Sequence, residues 1–297
     1  MNFADRLSEA VEARGAAVCV GIDPRIELLP PALIAGLRPG PAGRARAFER
    51  FSCMVIDAVA ADAVAVKPQV AFFEALGGVG MTALERVCAH ARDAGLLVIV
   101  DAKRGDVSLT SQAYADGWLH GRDGGAAVAD ALTVNPYLGG DAMAPFLAAC
   151  GDGAGLFVLA RTSNPGGGDL QEAVLDDGRL LWERTAELID GWGQRHVGGC
   201  GLSAVGAVVG ANRPDDVARA RQLMPHAPLL LPGVGAQGGR ASELAAAFRD
   251  HAAGGLVSAS RSVIYAWRER GGDWQQSVRA AAAELREAVS ALRPAAV

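Results

Sequence analysis

The chain has 297 residues, of which 51% are hydrophobic, with a formal net charge of -5 and a pI of about 5.6. This length is typical of a single barrel of alternating strands and helices. The acidic balance excludes a nucleic-acid or membrane surface of the usual kind, which needs clustered Lys and Arg, but a few local cations could still hold a small anionic ligand.

Short apolar runs rich in Val, Ile and Leu recur along the chain and are separated by longer amphipathic segments. Such runs are typical of parallel strands that are buried on both faces. The predicted strands are 16–23, 63–67, 96–103, 131–135, 155–161, 204–210, 228–233 and 255–260. The predicted helices are 45–60, 80–94, 111–120, 142–149, 180–196, 215–223, 241–251 and 273–292. This alternation predicts an α/β fold, a (β/α)8 TIM barrel, with residues 1–297 in one catalytic domain.

Two connections contain clusters of helix breakers. The segment 24–43 holds Pro30-Pro31 and Pro39-Gly40-Pro41, which predicts a surface excursion with one short helix. Residues 165–168 follow the fifth strand and could form either a lid or a plain surface connection.

Charged side chains lie at the carboxyl ends of several predicted strands, where a barrel of this class carries its active site. The third strand ends in the run Asp101-Ala102-Lys103-Arg104-Gly105-Asp106. In an extended backbone Asp101 and Lys103 project to the same face, and Asp106 lies beyond them on the loop. The alternative is a weak ion pair at an exposed strand end.

Lys67 and Asp23 end two further strands and would face the same opening. Lys67 would complete an alternating array of charges, although a lysine can also extend out of a barrel rim into water. Asp23 could accept hydrogen bonds from sugar hydroxyls, or it could cap the turn that begins at Pro24.

A phosphate site is predicted at the ends of the seventh and eighth strands. Residues 232–239 are rich in glycine and include Gln237, and Ser260-Arg261-Ser262 follows the eighth strand. Glycines let backbone N–H groups approach an anion, and an Arg can bind phosphate oxygens with two hydrogen bonds. A purely structural glycine turn is the alternative.

The histidines and cysteines indicate neither a metal nor a disulfide framework. The five histidines fall away from the strand ends, and lysines among the aspartates would repel a divalent cation. The five cysteines are scattered without a C-x-x-C pair, which favours reduced thiols in a cytoplasmic protein. The charged first residues do not read as a signal peptide, and no apolar run is long enough for a membrane span.

The combination of these motifs resembles the orotidine 5'-phosphate decarboxylase family, in its longer second subtype, over nearly the whole chain. The matching pieces are Val20-Gly21-Ile22-Asp23-Pro24, Val66-Lys67-Pro68, the run 101–106 with Thr110, Thr133-Val134-Asn135-Pro136, Arg161-Thr162-Ser163-Asn164-Pro165-Gly166, 232–239 and Ser260-Arg261-Ser262. Asn135 stands where the commoner branch of the family has His, and Ser108 and Leu109 stand where smaller residues are expected.

The resemblance implies a charged catalytic tetrad and a site shared between two subunits. The implied tetrad is Lys67, Asp101, Lys103 and Asp106. Asp106 and Thr110 would reach into the active site of a partner subunit, so a homodimer is expected.

The resemblance also implies the substrate contacts and the reaction. Asp23 would contact the ribose, Ser163 the pyrimidine ring, and Gln237 with Arg261 the phosphate. We expect decarboxylation of orotidine 5'-monophosphate to uridine 5'-monophosphate in de novo pyrimidine biosynthesis, without metal or cofactor, and with Lys103 as the proton donor to C6.

Two alternatives stay open at this point. A magnesium-dependent sugar-phosphate aldolase or decarboxylase of the same barrel group shares D-x-K-x-x-D, but is expected to carry a carboxylate near the second strand end, where this chain has Lys67. A non-catalytic phosphate-binding barrel would not require the charge array.

Overall fold

The computed structural model describes residues 1–121, 126–235 and 238–292 and shows a closed barrel of parallel strands. The strands are β1 Val18–Ile22, β2 Ala65–Pro68, β3 Leu97–Arg104, β4 Ala131–Val134, β5 Gly155–Arg161, β6 Val205–Val209, β7 Leu229–Pro232 and β8 Gly255–Ala259. Each strand pairs with its neighbour in sequence, and β8 pairs with β1. Every residue of β1, β4, β6 and β8 is buried, as expected for strands packed on both faces. The predicted (β/α)8 fold is confirmed.

Helices follow the strands and form the outer layer. The α-helices are α1 Phe3–Arg14, α2 Pro31–Ile34, α3 Pro41–Val59, α4 Val70–Glu74, α5 Gly78–Asp93, α6 Ser108–Trp118, α7 Gly140–Gly151, α8 Gly168–Gln171, α9 Leu181–Gly193, α10 Pro214–Leu223, α11 Arg261–Ile264, α12 Trp267–Arg270 and α13 Trp274–Ser290. Short 3₁₀ turns lie at Ile26–Leu28, Pro165–Gly167, Gln194–His196, Ala241–Glu243 and Ala245–Phe248. The excursion after β1 carries α2 as its one short α-helix, and α13 packs against α3 and β1 in the outer layer.

The predicted helix over 241–251 is wrong. The chain there forms two separate 3₁₀ turns, Ala241–Glu243 and Ala245–Phe248. Leu244, Ala247 and Phe248 are buried at helical spacing, but the backbone of Leu244 has a φ of -98° and a ψ of 9°, outside the helical region, and so separates the two turns.

The helix α1 closes the end of the barrel at which the strands begin. Asn2 caps it, since its Oδ1 accepts a hydrogen bond of 2.8 Å from the Ala4 N–H. Phe3 packs edge to face on Phe157, with ring centroids 6.0 Å apart. Gly155, at the start of β5, lies under the same ring, so this end of the barrel is closely packed.

Replacing Gly155 by alanine is expected to lower the free energy of unfolding by about 1–3 kcal/mol, because the new methyl group overpacks this end of the barrel. A Cβ at Gly155 would lie 2.4 Å from the Phe3 ring. The matched control is Gly191→Ala on the exposed side of α9, where a Cβ meets nothing within 4 Å; it should stabilise by about 0.5–1 kcal/mol. Urea unfolding midpoints measure both changes, and a parental midpoint for Gly155→Ala would contradict the packing argument.

Within the three described ranges, no helix is both long and apolar enough to cross a membrane.

Candidate active site

A cavity of about 390 Å³ opens at the carboxyl ends of the strands, a size suited to a small-molecule ligand. The predicted site residues that line it are Asp23, Lys67, Asp101, Lys103, Ser163 and Arg261. These six come from the ends of four strands, β1, β2, β3 and β5, and from the connection that follows β8, so the barrel brings together residues that are far apart in sequence.

Asp101 is the centre of a hydrogen-bond network at the bottom of this cavity. Lys67 Nζ lies 2.6 Å from Asp101 Oδ2, and Lys103 Nζ lies 2.5 Å from Oδ1. Gln69 Nε2 also donates to Oδ2, at 3.1 Å, and Thr133 Oγ1 donates to Oδ1, at 2.9 Å. Each carboxylate oxygen therefore receives one ammonium and one neutral donor.

These contacts keep Asp101 ionised although it is buried. Burial acts to raise the pKa of the Asp101 carboxyl, but the ammonium groups of Lys67 and Lys103 outweigh it and hold that pKa well below its usual range. The site thus contains a fixed negative charge between two cations.

The two lysines differ in their access to the cavity. The Lys67 side chain is 9% exposed, whereas that of Lys103 is 47% exposed. Burial acts to lower the pKa of Lys67, but the carboxylates of Asp101 and Asp23 outweigh it and raise that pKa above its usual value. Lys67 is therefore a permanent buried cation, and Lys103 is the ammonium that a bound ligand can reach.

The backbone at Lys103 is left-handed, with a φ of 49°. Among the described residues, every other positive φ belongs to a glycine. The Lys103 N–H donates to Thr133 Oγ1 at 2.9 Å, and the pairing of β3 with β4 changes register between Val100 and Arg104. Such an irregularity redirects side chains at a strand end, and here it aims Lys103 back at Asp101.

Asp23 accepts hydrogen bonds through one carboxylate oxygen and through its backbone carbonyl, and its other carboxylate oxygen has no hydrogen-bond partner among the described residues. Ser260 Oγ donates to Asp23 Oδ2 at 2.6 Å, and the Tyr265 hydroxyl donates to the Asp23 carbonyl at 2.8 Å. Asp23 Oδ1 is buried and has no hydrogen-bond partner among the described residues. A buried acceptor without a donor is costly, which suits an oxygen that receives a hydroxyl from a ligand.

The structure describes part of the predicted phosphate site, which lies at the ends of β7 and β8. Arg261 lines the cavity beside Gly233 and Val234. Gly235 has a φ of 77°, and a Cβ there would lie 2.9 Å from Ser262 Oγ, so this turn requires glycine. Gln237 lies outside the described residues.

Asp106 and Thr110 do not line the cavity of their own chain. The Asp106 carboxylate accepts a 2.7 Å hydrogen bond from the Val107 N–H, and Thr110 is exposed in the first turn of α6. Asn135 also lies outside the cavity lining, and its Oδ1 accepts from the Tyr137 N–H at 3.0 Å in the turn after β4.

Gln69 belongs to the Asp101 network but was not predicted. Its two-residue spacing from Lys67 places both side chains on one face of a strand, which was a usable signal. The amino-acid composition held a second signal for this network. Of the 28 lysines and arginines in the sequence, two are lysines, and both contact Asp101.

The donor set does not suit a metal ion. Within residues 1–121, 126–235 and 238–292, no three His, Cys, Asp or Glu side chains lie together in a way that could hold one. Among the residues that the structure describes, no histidine lines the cavity.

Comparison with known proteins gives a consistent result. The model of the orotidine 5'-phosphate decarboxylase / HUMPS family matches residues 16–270. The orotidine 5'-phosphate decarboxylase of Rhodopirellula baltica is 42% identical over 300 residues, covering 97% of this chain and 98% of the relative. That of Deinococcus radiodurans is 46% identical over 267 residues, covering 89% of this chain and 90% of the relative. The structure of Leishmania donovani OMP decarboxylase superposes with a TM-score of 0.77 at 34% identity, covering 100% of both chains.

Proposed function

The chain belongs to the orotidine 5'-phosphate decarboxylase / HUMPS family, and we propose that Lys103 protonates C6 in the reaction that it catalyses in pyrimidine biosynthesis, the decarboxylation of orotidine 5'-monophosphate to uridine 5'-monophosphate. The observation that carries this proposal is the contact of Lys103 Nζ with the ionised, buried Asp101, with the lysine side chain still 47% exposed. Lys103 is thereby both preorganised and accessible.

The chemistry requires a cation at this place. When the bond between C6 and the carboxylate breaks, carbon dioxide leaves and the electron pair stays on C6 in an sp2 orbital that lies in the ring plane. The π-system of the ring cannot delocalise this pair, so the protein must stabilise it electrostatically. A proton then moves from Lys103 Nζ to C6, which forms the C–H bond of the product and leaves a neutral amine.

Asp101 and Lys67 support this step without donating the proton. Asp101 fixes the position of the Lys103 ammonium through the 2.5 Å contact. Lys67 balances the charge of Asp101, so that the network holds one carboxylate between two cations. The Asp101 carboxylate also repels the substrate carboxylate beside it, and loss of carbon dioxide relieves that repulsion.

The remaining cavity residues fit a nucleotide. We assign Asp23, through its unpartnered Oδ1, to a ribose hydroxyl, Ser163 to the pyrimidine ring and Arg261 to the phosphate. Gln237, which lies outside the described residues, is assigned to the phosphate from the sequence alone. Binding energy at the phosphate, far from C6, can drive loop closure and thereby place the ring against Lys103.

We further propose that two copies of the chain form a homodimer with shared active sites. Asp106 and Thr110 do not line the cavity of their own chain, and strongly exposed apolar side chains lie beside them in the sequence and in the turn after the neighbouring strand β4. These are Val107 at 56%, Leu109 at 86% and Tyr137 at 76%. A patch of this kind favours burial against a second copy, which would bring Asp106 and Thr110 to the neighbouring site. The five free thiols support a reducing, cytoplasmic location.

Turnover of orotidine 5'-monophosphate is expected to be unchanged by an excess of EDTA, because Lys103 supplies both the charge and the proton. The assay follows the loss of orotate-ring absorbance with purified protein, with and without the chelator. Activity that vanished with EDTA and returned with Mg²⁺ would favour the aldolase-like alternative. Absence of turnover in both conditions would favour a phosphate-binding barrel without catalysis.

A further inference from the structure

Arg161 is a buried cation at the end of β5 that the mechanism above does not use. Its side chain is 2% exposed, and it does not line the cavity, although Leu159 and Thr162 on either side of it do. Regular alternation would place Arg161 on the same face as Leu159. The pairing of β5 with β6 changes register between these two residues, however, and this bulge turns Arg161 away from the cavity.

The guanidinium of Arg161 joins two connections of the barrel. Its Nε donates to Asp216 Oδ2 at 2.8 Å, in the first turn of α10, and its terminal nitrogens donate to Gln171 and Glu172, at the end of α8. Arg213 also contacts Glu172, at 3.3 Å. Two arginines and two carboxylates thus form a locally neutral cluster behind the cavity wall.

This cluster reaches the cavity through Gln171. Gln171 Oε1 accepts a hydrogen bond of 2.9 Å from the Thr162 N–H, and its Nε2 donates to Thr162 Oγ1 at 2.7 Å. From the other side, Asn212 Nδ2 donates to the Ser163 carbonyl at 3.2 Å. A Cβ at Gly167 would lie 2.9 Å from Thr162 Oγ1, so the segment has little room to shift.

We propose that Arg161 is a positioning residue that holds the segment Thr162-Ser163 against the bound pyrimidine ring, acting through Gln171 and Glu172. Its effect falls on nucleotide affinity and not on the chemical step, because it touches neither the cavity nor the Asp101 network. The inference rests on the proposed function, which assigns Ser163 to the ring.

Glu172→Gln tests the proposal, since it keeps the size of the side chain and removes one of the two carboxylate charges that Arg161 binds, the one next to Gln171. We expect the KM for orotidine 5'-monophosphate to rise about tenfold, the lower end of the effect of losing a charged hydrogen bond. The kcat should stay within about threefold of the parent, as for a loss of uniform binding. Calorimetric titration with uridine 5'-monophosphate should show the same roughly tenfold loss of affinity.

Two further variants separate positioning from general stability. Glu183→Gln breaks the exposed pair between Glu183 and Arg219, 2.7 Å apart, which links α9 to α10 without touching Thr162. It should keep the parental KM. Gln171→Ala leaves both ion pairs of Arg161 intact and removes the contacts to Thr162, so it should reproduce the rise in KM even if Glu172→Gln folds poorly.

The outcomes are distinguishable. If the parent turns over the substrate and both Glu172→Gln and Gln171→Ala keep the parental KM and product affinity, the role of Arg161 is overturned and the proposed function stands. A fall in kcat at constant KM would also overturn it. A parent without turnover would overturn the proposed function itself.

Discussion

Replacing Lys103 by alanine is expected to lower kcat by at least about 10⁴-fold, since a positioned general acid contributes about 10²–10⁴-fold and a preorganised charge about 10²–10³-fold. Lys67 cannot take over, because its side chain is only 9% exposed and its Nζ lies 2.6 Å from Asp101. Alanine retains a Cβ, so the left-handed backbone at this position carries the same strain in the variant as in the parent. Turnover by absorbance measures the loss, and calorimetry should still detect binding of uridine 5'-monophosphate.

Lys103→Arg separates the two contributions of the lysine. Arginine keeps the positive charge, but its guanidinium does not release a proton near neutral pH. This variant should therefore also turn over slowly, even where it binds nucleotide well. Near-parental kcat in Lys103→Ala would remove Lys103 from the mechanism, whereas near-parental kcat in Lys103→Arg would remove only its role as proton donor.

Mixing two inactive variants, Lys103→Ala and Asp106→Ala, is expected to restore activity. In a hybrid dimer with shared sites, one site carries both defects and the other carries neither. Random exchange in a 1:1 mixture makes half of the dimers hybrids, so recovery should approach about a quarter of the parental activity for a two-fold symmetric interface. The experiment unfolds and refolds the variants together and measures turnover against each variant treated alone.

The matched control pairs Lys103→Ala with Asp101→Asn, two residues assigned to the same subunit's site. Here each site of a hybrid keeps one defect, so no activity should return. Failure of the Asp106 mixture, with hybrid dimers demonstrated by native mass spectrometry, would contradict the placement of Asp106 in the neighbouring site.

The strand pattern predicted the barrel and the meeting of its charged residues. Lys67 and Asp101 lie at the ends of the neighbouring strands β2 and β3, so their proximity follows from the parallel order of the strands. The hydrogen bond from Thr133 to Asp101 could not be derived in this way, because it depends on the register between β3 and β4.

Two other features were beyond sequence reasoning for local reasons. The bulges at Lys103 and Arg161 break the two-residue alternation on which strand-face predictions depend. The helix predicted over 241–251 is replaced by two 3₁₀ turns, because the backbone of Leu244 between them leaves the helical region and the burial pattern does not reveal this. The assignments of Asp106 and Thr110 concern a second subunit, so they stay predictions.

The scarcity of lysine has a practical consequence for labelling and immobilisation. Reagents that acylate or alkylate amines find two lysines in these 297 residues, and Lys103 is much the more exposed of the two. Apart from the α-amino group, amine-directed coupling is thus an active-site reaction in this chain. A fluorescent dye or a solid support attached through lysine would report on, and block, the decarboxylation site, so inert attachment needs a different side chain.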